Sequence, residues 1–265
     1  MREDGRWKGR LTSRPLPDDD LTTLAVDDET RATIVRMWMG RSAAERRAGD
    51  SFIVVRDALE AMGADVDSIA LADRAIDDEV RHAEICRVVA SRFAGRELEE
   101  PERLILDVPK HVGASPELRR SLHVFGQCAL NETTASAFLE TCLAQSTVPL
   151  PHAALRELLS DEIDHARIGW AHLASLDGPS RAAVTPWLLP MMSANLAMWR
   201  ESGAPPKPSA LLSECGVPSK AAIDGAVLGA LRDLVIPGLE QLGYDVRKAR
   251  AWAAAGAPIT APRSA

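Results

Sequence analysis

The sequence predicts an all-α fold: an antiparallel four-helix bundle of two helical hairpins and a long crossover, followed by accessory helices. Three observations carry this. Four long stretches repeat apolar residues at the 3.6-residue period of a helix. Alternating β-branched runs are scarce, and no Asn-Gly or Asp-Gly dipeptide joins two such runs as a hairpin turn would. The links within each helix pair are short, whereas the link between the pairs can run the length of a bundle.

In chain order, residues 1–27 read as a poorly ordered arm, because Arg14-Pro15-Leu16-Pro17 and Asp18 to Asp20 have turn chemistry and no period. The first helix aligns Ile34, Trp38, Glu45, Ala48, Phe52, Val55, Leu59 and Met62, and stops at Gly63. The second aligns Ile69, Ala72, Ile76, Glu79, Ala83, Cys86, Ala90 and Phe93, and stops at Gly95. A glycine just past the last periodic residue is a common C-terminal signal, since it takes the left-handed conformation at little cost. Residues 96–116, with Pro101 and Pro109, supply the crossover. Ser115-Pro116-Glu117 caps a third helix through Leu118, Leu122, Phe125, Ala129, Glu132, Ser136, Leu139 and Leu143. The fourth begins after Pro149-Leu150-Pro151, passes through Leu155, Leu158, Glu162, His165 and Gly169, and ends at Gly178-Pro179. The bundle is thereby bounded at residues 28–178. Residues 179–256 hold accessory helices: one over 181–200, a break from Gly203 to Pro208, and one or two over 219–255 interrupted at Pro237 and Gly243. Residues 257–265 form a tail.

Composition excludes several classes of function. A chain of 265 residues with 46% hydrophobic and 26% charged residues has the balance of an ordinary globular protein. The net charge of −7 argues against nucleic acid as a partner, which would want a basic face. No apolar run approaches the ~18 residues a spanning helix needs, and no signal-peptide core opens the chain, so the expected setting is the cytoplasm without a membrane. Cys86, Cys128, Cys142 and Cys215 never form a Cys-x-x-Cys pair, which excludes a local zinc ribbon or rubredoxin-type iron site. Cys86 and Cys128 read as small buried hydrophobes.

The chemistry concentrates in a repeated phrase. Asp78-Glu79-Val80-Arg81-His82-Ala83 and Asp161-Glu162-Ile163-Asp164-His165-Ala166 each carry Glu-x-x-His, and residues three apart on a helix project to one side. Glu45 and Glu132 lie upstream of them, within the apolar stripes rather than on the solvated faces. An unpaired buried carboxylate costs several kcal/mol, and four that face one another are worse. Two divalent cations would neutralise the four charges, and carboxylates with imidazole suit iron or manganese and can bridge two ions. The expected metal ligands are therefore Glu45, Glu79, His82, Glu132, Glu162 and His165. Asp50 competes with Glu45 as the first ligand, but Glu45 shares a face with Phe52, seven residues on.

Around this set, Asp78 and Asp161 either hold the far nitrogen of the opposite hairpin's histidine or are solvated acids. Ser136, one turn past Glu132, either faces a bound reactant or bonds back to its own helix. Gly49 and Gly169 either leave a substrate cavity or permit close helix packing. Arg41, one turn before Glu45, either reaches a substrate carboxylate or extends to solvent. His172 reads as a core or surface histidine, and His111, His123 and His152 have no partner by spacing.

The stretches Ala44 to Phe52, Asp78-Glu79-x-Arg81-His82-Ala83, Asn131-Glu132-Thr133 and Asp161-Glu162-x-x-His165-Ala166 resemble the ferritin-like superfamily of dinuclear non-haem iron proteins. More closely, they are similar to a bacterial group of that superfamily, over residues 30–178 and loosely over 211–242. Arg46 stands where that group would have histidine. The resemblance implies oxygen or peroxide chemistry at the six ligands without selecting one reaction. The expected activity is that of a diiron oxidoreductase, an oxygenase that uses O2 to hydroxylate or N-oxygenate a small-molecule substrate. Ferroxidase or iron-handling activity and peroxide removal are the alternatives, and an inert helical scaffold is the last. The expected cofactor is two iron ions cycling between Fe2+ and Fe3+, with Mn/Fe or Mn/Mn as other pairs. The expected partners are O2 or peroxide, an external electron donor and, as a homodimer, a second copy of the chain.

Overall fold

The computed structural model describes residues 11–201, 203–205 and 207–258. Among these residues every regular element is helical and no strand occurs. Residues 1–10 and most of the 257–265 tail lie outside the described residues.

Helix α1 (Asp28–Met62) and helix α2 (Val66–Ala94) form a hairpin. The sequence sets both ends of each. Asp27 accepts a hydrogen bond from Thr30 N at 2.7 Å and Asp65 from Ser68 N at 2.9 Å, satisfying amides that a helix start leaves open. Gly63 (φ 67°) and Gly95 (φ 65°) close the helices in the left-handed region. The crossover then runs along the outside of α1: Arg46 pairs with Glu100 at 2.8 Å, and Arg103 donates to Asp50.

The third stretch begins at α3 (Pro116–Val124), capped by Ser115. It widens into a π-helix over Phe125–Glu132 and resumes as α4 (Thr133–Gln145). The even 3.6-residue spacing of its apolar residues carries no trace of the π segment. Helix α5 (Pro149–Ser175) follows; Pro149 occupies its first turn, where a missing N–H is harmless, so the prolines open the helix rather than precede it. Helix α1 packs on α2, α2 on α5, and α5 on the π-helix and α4.

Two expectations require correction. The arm is docked from residue 11 onward: Leu21 is 4% exposed, Arg31 donates to the carbonyl of Leu21 at 2.8 Å, and Ser13 N donates to Glu157 at 2.7 Å. Pro237 does not interrupt its helix. A π turn, Leu231–Val235, lies between α9 (Lys220–Ala230) and α10 (Ile236–Gln241), and its wider hydrogen-bonding pattern accommodates a residue with no N–H. The stop comes at Gly243 (φ 85°), before α11 (Arg247–Ala254).

The region after the long helices is α6 (Gly178–Val184), a 3-10 turn (Thr185–Trp187), α7 (Leu188–Glu201), α8 (Ala210–Glu214) and the helices above. It has no separate core. Leu188, Met192, Leu196, Val227, Leu231 and Val235 share one buried cluster with Leu122, Phe125, Ala129 and Leu173 of the long helices. Polar ties reinforce it: Trp38 Nε1 donates to the Cys215 carbonyl at 3.0 Å, and Tyr244 donates to the Leu173 carbonyl at 3.1 Å. No helix among the described residues is long and apolar enough to cross a membrane.

Candidate metal centre

Each long helical stretch delivers part of one cluster. Helix α1 brings Glu45, α2 brings Glu79 and His82, the π-helix ends on Glu132, and α5 brings Glu162 and His165. Their donor atoms fall into two overlapping groups, Glu45, Glu79, His82 and Glu162, and Glu79, Glu132, Glu162 and His165; within each group the atoms lie within 4.8 Å of one another. Glu79 and Glu162 belong to both. Asp50 points the other way, to Arg103 of the crossover, which leaves Glu45 as the α1 contribution.

The histidines are aimed by a cross-linked outer layer. His82 Nδ1 faces Glu79 at 3.6 Å and Glu162 at 3.5 Å, while its Nε2 meets Asp161 Oδ2 at 3.1 Å. His165 Nδ1 faces Glu79 at 3.2 Å and Glu162 at 3.3 Å, and its Nε2 lies 3.6 Å from Asp78 Oδ2. Each aspartate thus faces the histidine of the other motif. Arg81 joins the two, donating to Asp78 at 3.2 Å and to Asp161. The carbonyl of Leu11 in the docked arm accepts a further bond from Arg81 at 3.1 Å.

Electrostatics bear on whether metal suits the cluster. Burial, then the charges of Glu79 and Glu162, push the Glu45 carboxyl well above the usual range. Burial and the charges of Glu162 and Glu79 do the same to Glu132. Burial alone would lower both imidazoles, but the carboxylates around them prevail and hold His82 and His165 well above the ordinary histidine value. Burial would raise Glu162, and the facing imidazoles of His165 and His82 outweigh it and depress that carboxyl. Protons therefore balance the charge in the metal-free protein. Both carboxylate oxygens of Glu79 and Nδ1 of His82 are nonetheless buried without a hydrogen-bond partner. Buried polar groups are seldom left so, and a cation that displaced the imidazole proton would satisfy all three at once. Four carboxylates and two imidazoles are a donor set that could hold metal ions.

The π-helix contributes what spacing does not reveal. Gln127 donates to Glu132 Oε1, and Ser51 donates to Gln127 Oε1 at 2.7 Å. Residues five apart diverge on an α-helix but align on a π-helix. Gly169 permits this geometry: a Cβ there would lie 2.3 Å from Ala129 N. Of the two readings of that glycine, close packing is the observed one. Gly49 is similar but looser, with Glu79 Cβ at 3.4 Å from the position of an added Cβ. Ser136 donates to the carbonyl of Glu132 at 2.8 Å, bonding back to its own helix. Sequence reasoning also missed Glu157, a buried carboxylate tied to Ser13 one turn before Asp161.

The remaining candidates lie elsewhere. His123 Nε2 is 2.9 Å from the Pro109 carbonyl, and His111 stacks near His123 and Trp187. His152 Nδ1 is 3.0 Å from the Ser146 carbonyl. All four cysteines are buried and free. The chain matches no protein-family model, and a search of curated proteins returns no relative.

Proposed function

We infer that this chain is a ferritin-like dinuclear non-haem iron oxidoreductase that uses O2 to hydroxylate or N-oxygenate a small organic substrate. The observation that carries the metal reading is the sharing of Glu79 and Glu162 between two ligand groups, with Glu45 and His82 completing one and Glu132 and His165 the other. Two ferrous ions bound there supply two electrons and open coordination positions for O2 activation. The protein's part is positional. Asp161 holds the His82 ring by its far nitrogen, and Asp78 faces that of His165, so Nδ1 of each is directed inward. Against burial, the facing imidazoles and then Arg81 keep both aspartates charged, and Arg81 ties them together. Gln127 orients the Glu132 carboxylate, and Ser51 fixes the Gln127 amide. The helices after Gly178 seal the α4–α5 side with apolar residues, restricting water near the cluster.

The shared core of those helices favours oxygenation over storage, since shell-forming iron oxidation needs little beyond four helices. Anaerobic loading with ferrous ion followed by O2 and an added aniline tests this. The expected result is consumption of about one O2 per chain with an oxygenated arene, because two ferrous electrons and two from the substrate complete the four-electron reduction. Growth of a ferric mineral with the arene untouched would replace this reading with iron handling. Peroxide loss without organic product would replace it with peroxide removal.

A further inference from the structure

Arg41 is a charged group in an unusual setting. It lies on α1 one turn before Glu45, with its guanidinium carbon 4.4 Å from the centroid of the Trp38 ring and 5.2 Å from that of Phe138. Its Nη2 donates to the carbonyl of Gly216 at 3.2 Å and approaches Cys142 Sγ at 3.8 Å. Its Nη1 is buried and has no hydrogen-bond partner. No carboxylate among the described residues lies within ion-pair distance of it. Arg41 as a whole is partly exposed, but a side chain merely extending to solvent would place that nitrogen in water, and buried polar atoms are ordinarily paired.

The position relative to the cluster gives this charge a use. Helices α1 and α3–α4 run antiparallel, as the facing pairs Met62 with Ser121, Ser51 with Gln127, and Arg41 with Phe138 show. Helix α1 lies against α3 but diverges from α4. Between the Ser51–Gln127 bond and the Arg41–Phe138 stack, α1 carries Ala44, Glu45 and Ala48, and α4 carries Ala135 and Ser136, all of them partly exposed. This seam of small side chains reaches a ligand. The Cys86 thiol senses both ends: burial and then Glu45 raise it, and Arg41 lowers it. Four glutamates and two divalent cations sum to zero, so beside a loaded centre Arg41 is an uncompensated positive charge.

We propose that Arg41 is an anion-binding residue of the seam between α1 and α4, and that it takes the carboxylate of a small, planar substrate whose apolar part rests against the partly exposed ring of Phe138. As an assignment of substrate class, this rests on the oxygenase reading; as an anion site, it stands without it. A guanidinium presents paired donors that match a carboxylate, and the Phe138 ring suits an arene.

Calorimetric titration of the ferrous-loaded chain with benzoate, under anaerobic conditions, tests it, with benzamide as the neutral analogue and metal content measured on every sample. The expected result is saturable benzoate binding that weakens on the order of 10- to 100-fold in Arg41→Gln, at unchanged metal content, with benzamide binding at least about tenfold weaker than benzoate. Equal benzoate affinity in Arg41→Gln, equal binding of benzamide, or no benzoate binding to the folded wild-type chain would each overturn the proposal. If Arg41→Gln does not fold, the Arg41 Nε–H resonance, assigned by its absence from Arg41→Lys, decides: benzoate must shift it and benzamide must not. A chain that holds no metal but shows Arg41-dependent benzoate binding would sink the dinuclear reading and retain the anion site. Two metals per chain with benzoate binding indifferent to Arg41 would do the reverse.

Discussion

Glu79 carries more of the site than any other side chain, because it belongs to both ligand groups and neither of its oxygens has a protein hydrogen-bond partner. Glu79→Ala is therefore expected to reduce binding at both positions, whereas Glu132→Ala should spare the ion held by Glu45 and His82; metal content per chain distinguishes them. Protonation gives a second prediction at this scale. Glu45, Glu132, His82 and His165 are all held above their ordinary values, so protons occupy groups that ligation must empty. Loading should release on the order of two to four protons per chain, and affinity should fall as pH falls. Titration in weakly buffered dye solution measures the release, and metal uptake that moves no protons would contradict this electrostatic account. Asp78 and Asp161 were legible as candidates because they repeat. Arg81 was visible within one phrase only, where the second has Asp164, and nothing in the spacing revealed that one arginine joins both halves.

The π-helix is the element whose form matters most to the site. Gly169→Ala puts a methyl 2.3 Å from Ala129 N, a backbone atom that cannot rotate away. Overpacking of this kind is expected to lower stability by about 1–3 kcal/mol, measured by denaturant unfolding, and to weaken the metal position held by Glu132. Gly40→Ala provides the contrast, since an added Cβ there meets nothing within 4 Å on an exposed helical face. That change should stabilise by about 0.5–1 kcal/mol. Helix ends were readable in the sequence because Asp27, Asp65, Ser115, Gly63 and Gly95 satisfy local rules. The π segment was not, since Leu122, Phe125, Ala129 and Glu132 keep an α-helical period. The glycine that leaves room for it lies 37 residues beyond Glu132, on a different helix. Pro237 misled for a related reason: local rules place a stop at proline, and a preceding π turn removed the need for one.

Across the whole molecule, the long helices and the C-terminal helices are expected to unfold as one unit, because Leu122, Phe125, Val227 and Leu231 share one continuous buried cluster. His172 offers a probe of that unit. Burial depresses its imidazole to about 4, and its Nε2 has no partner. The folded value lies below the unfolded one, so the neutral ring contributes stability that is fully present above about pH 6.5 and is lost as pH falls toward 4. The loss amounts to about 3 kcal/mol over that window. His172→Gln should flatten that part of the stability profile, and an unchanged slope between pH 6.5 and 4 would place the cause elsewhere. The helical architecture and the C-terminal helices were legible at this scale, but their common core was not, because Met192 and Val227 show no partner in the sequence. The arm misled likewise: Leu21 packs in a cluster with Val89 and Phe93 of α2, and Ser13 bonds to Glu157 of α5, both more than 60 residues away.

In the proposed centre, six side chains from four helical stretches hold two divalent ions that share Glu79 and Glu162. Anaerobic titration of the metal-free chain with ferrous ion, followed by metal analysis after gel filtration, tests it most directly. Saturation is expected at two ions per chain, falling to one or fewer in Glu79→Ala. Saturation with none, or with two ions in both the wild-type chain and Glu79→Ala, would contradict it.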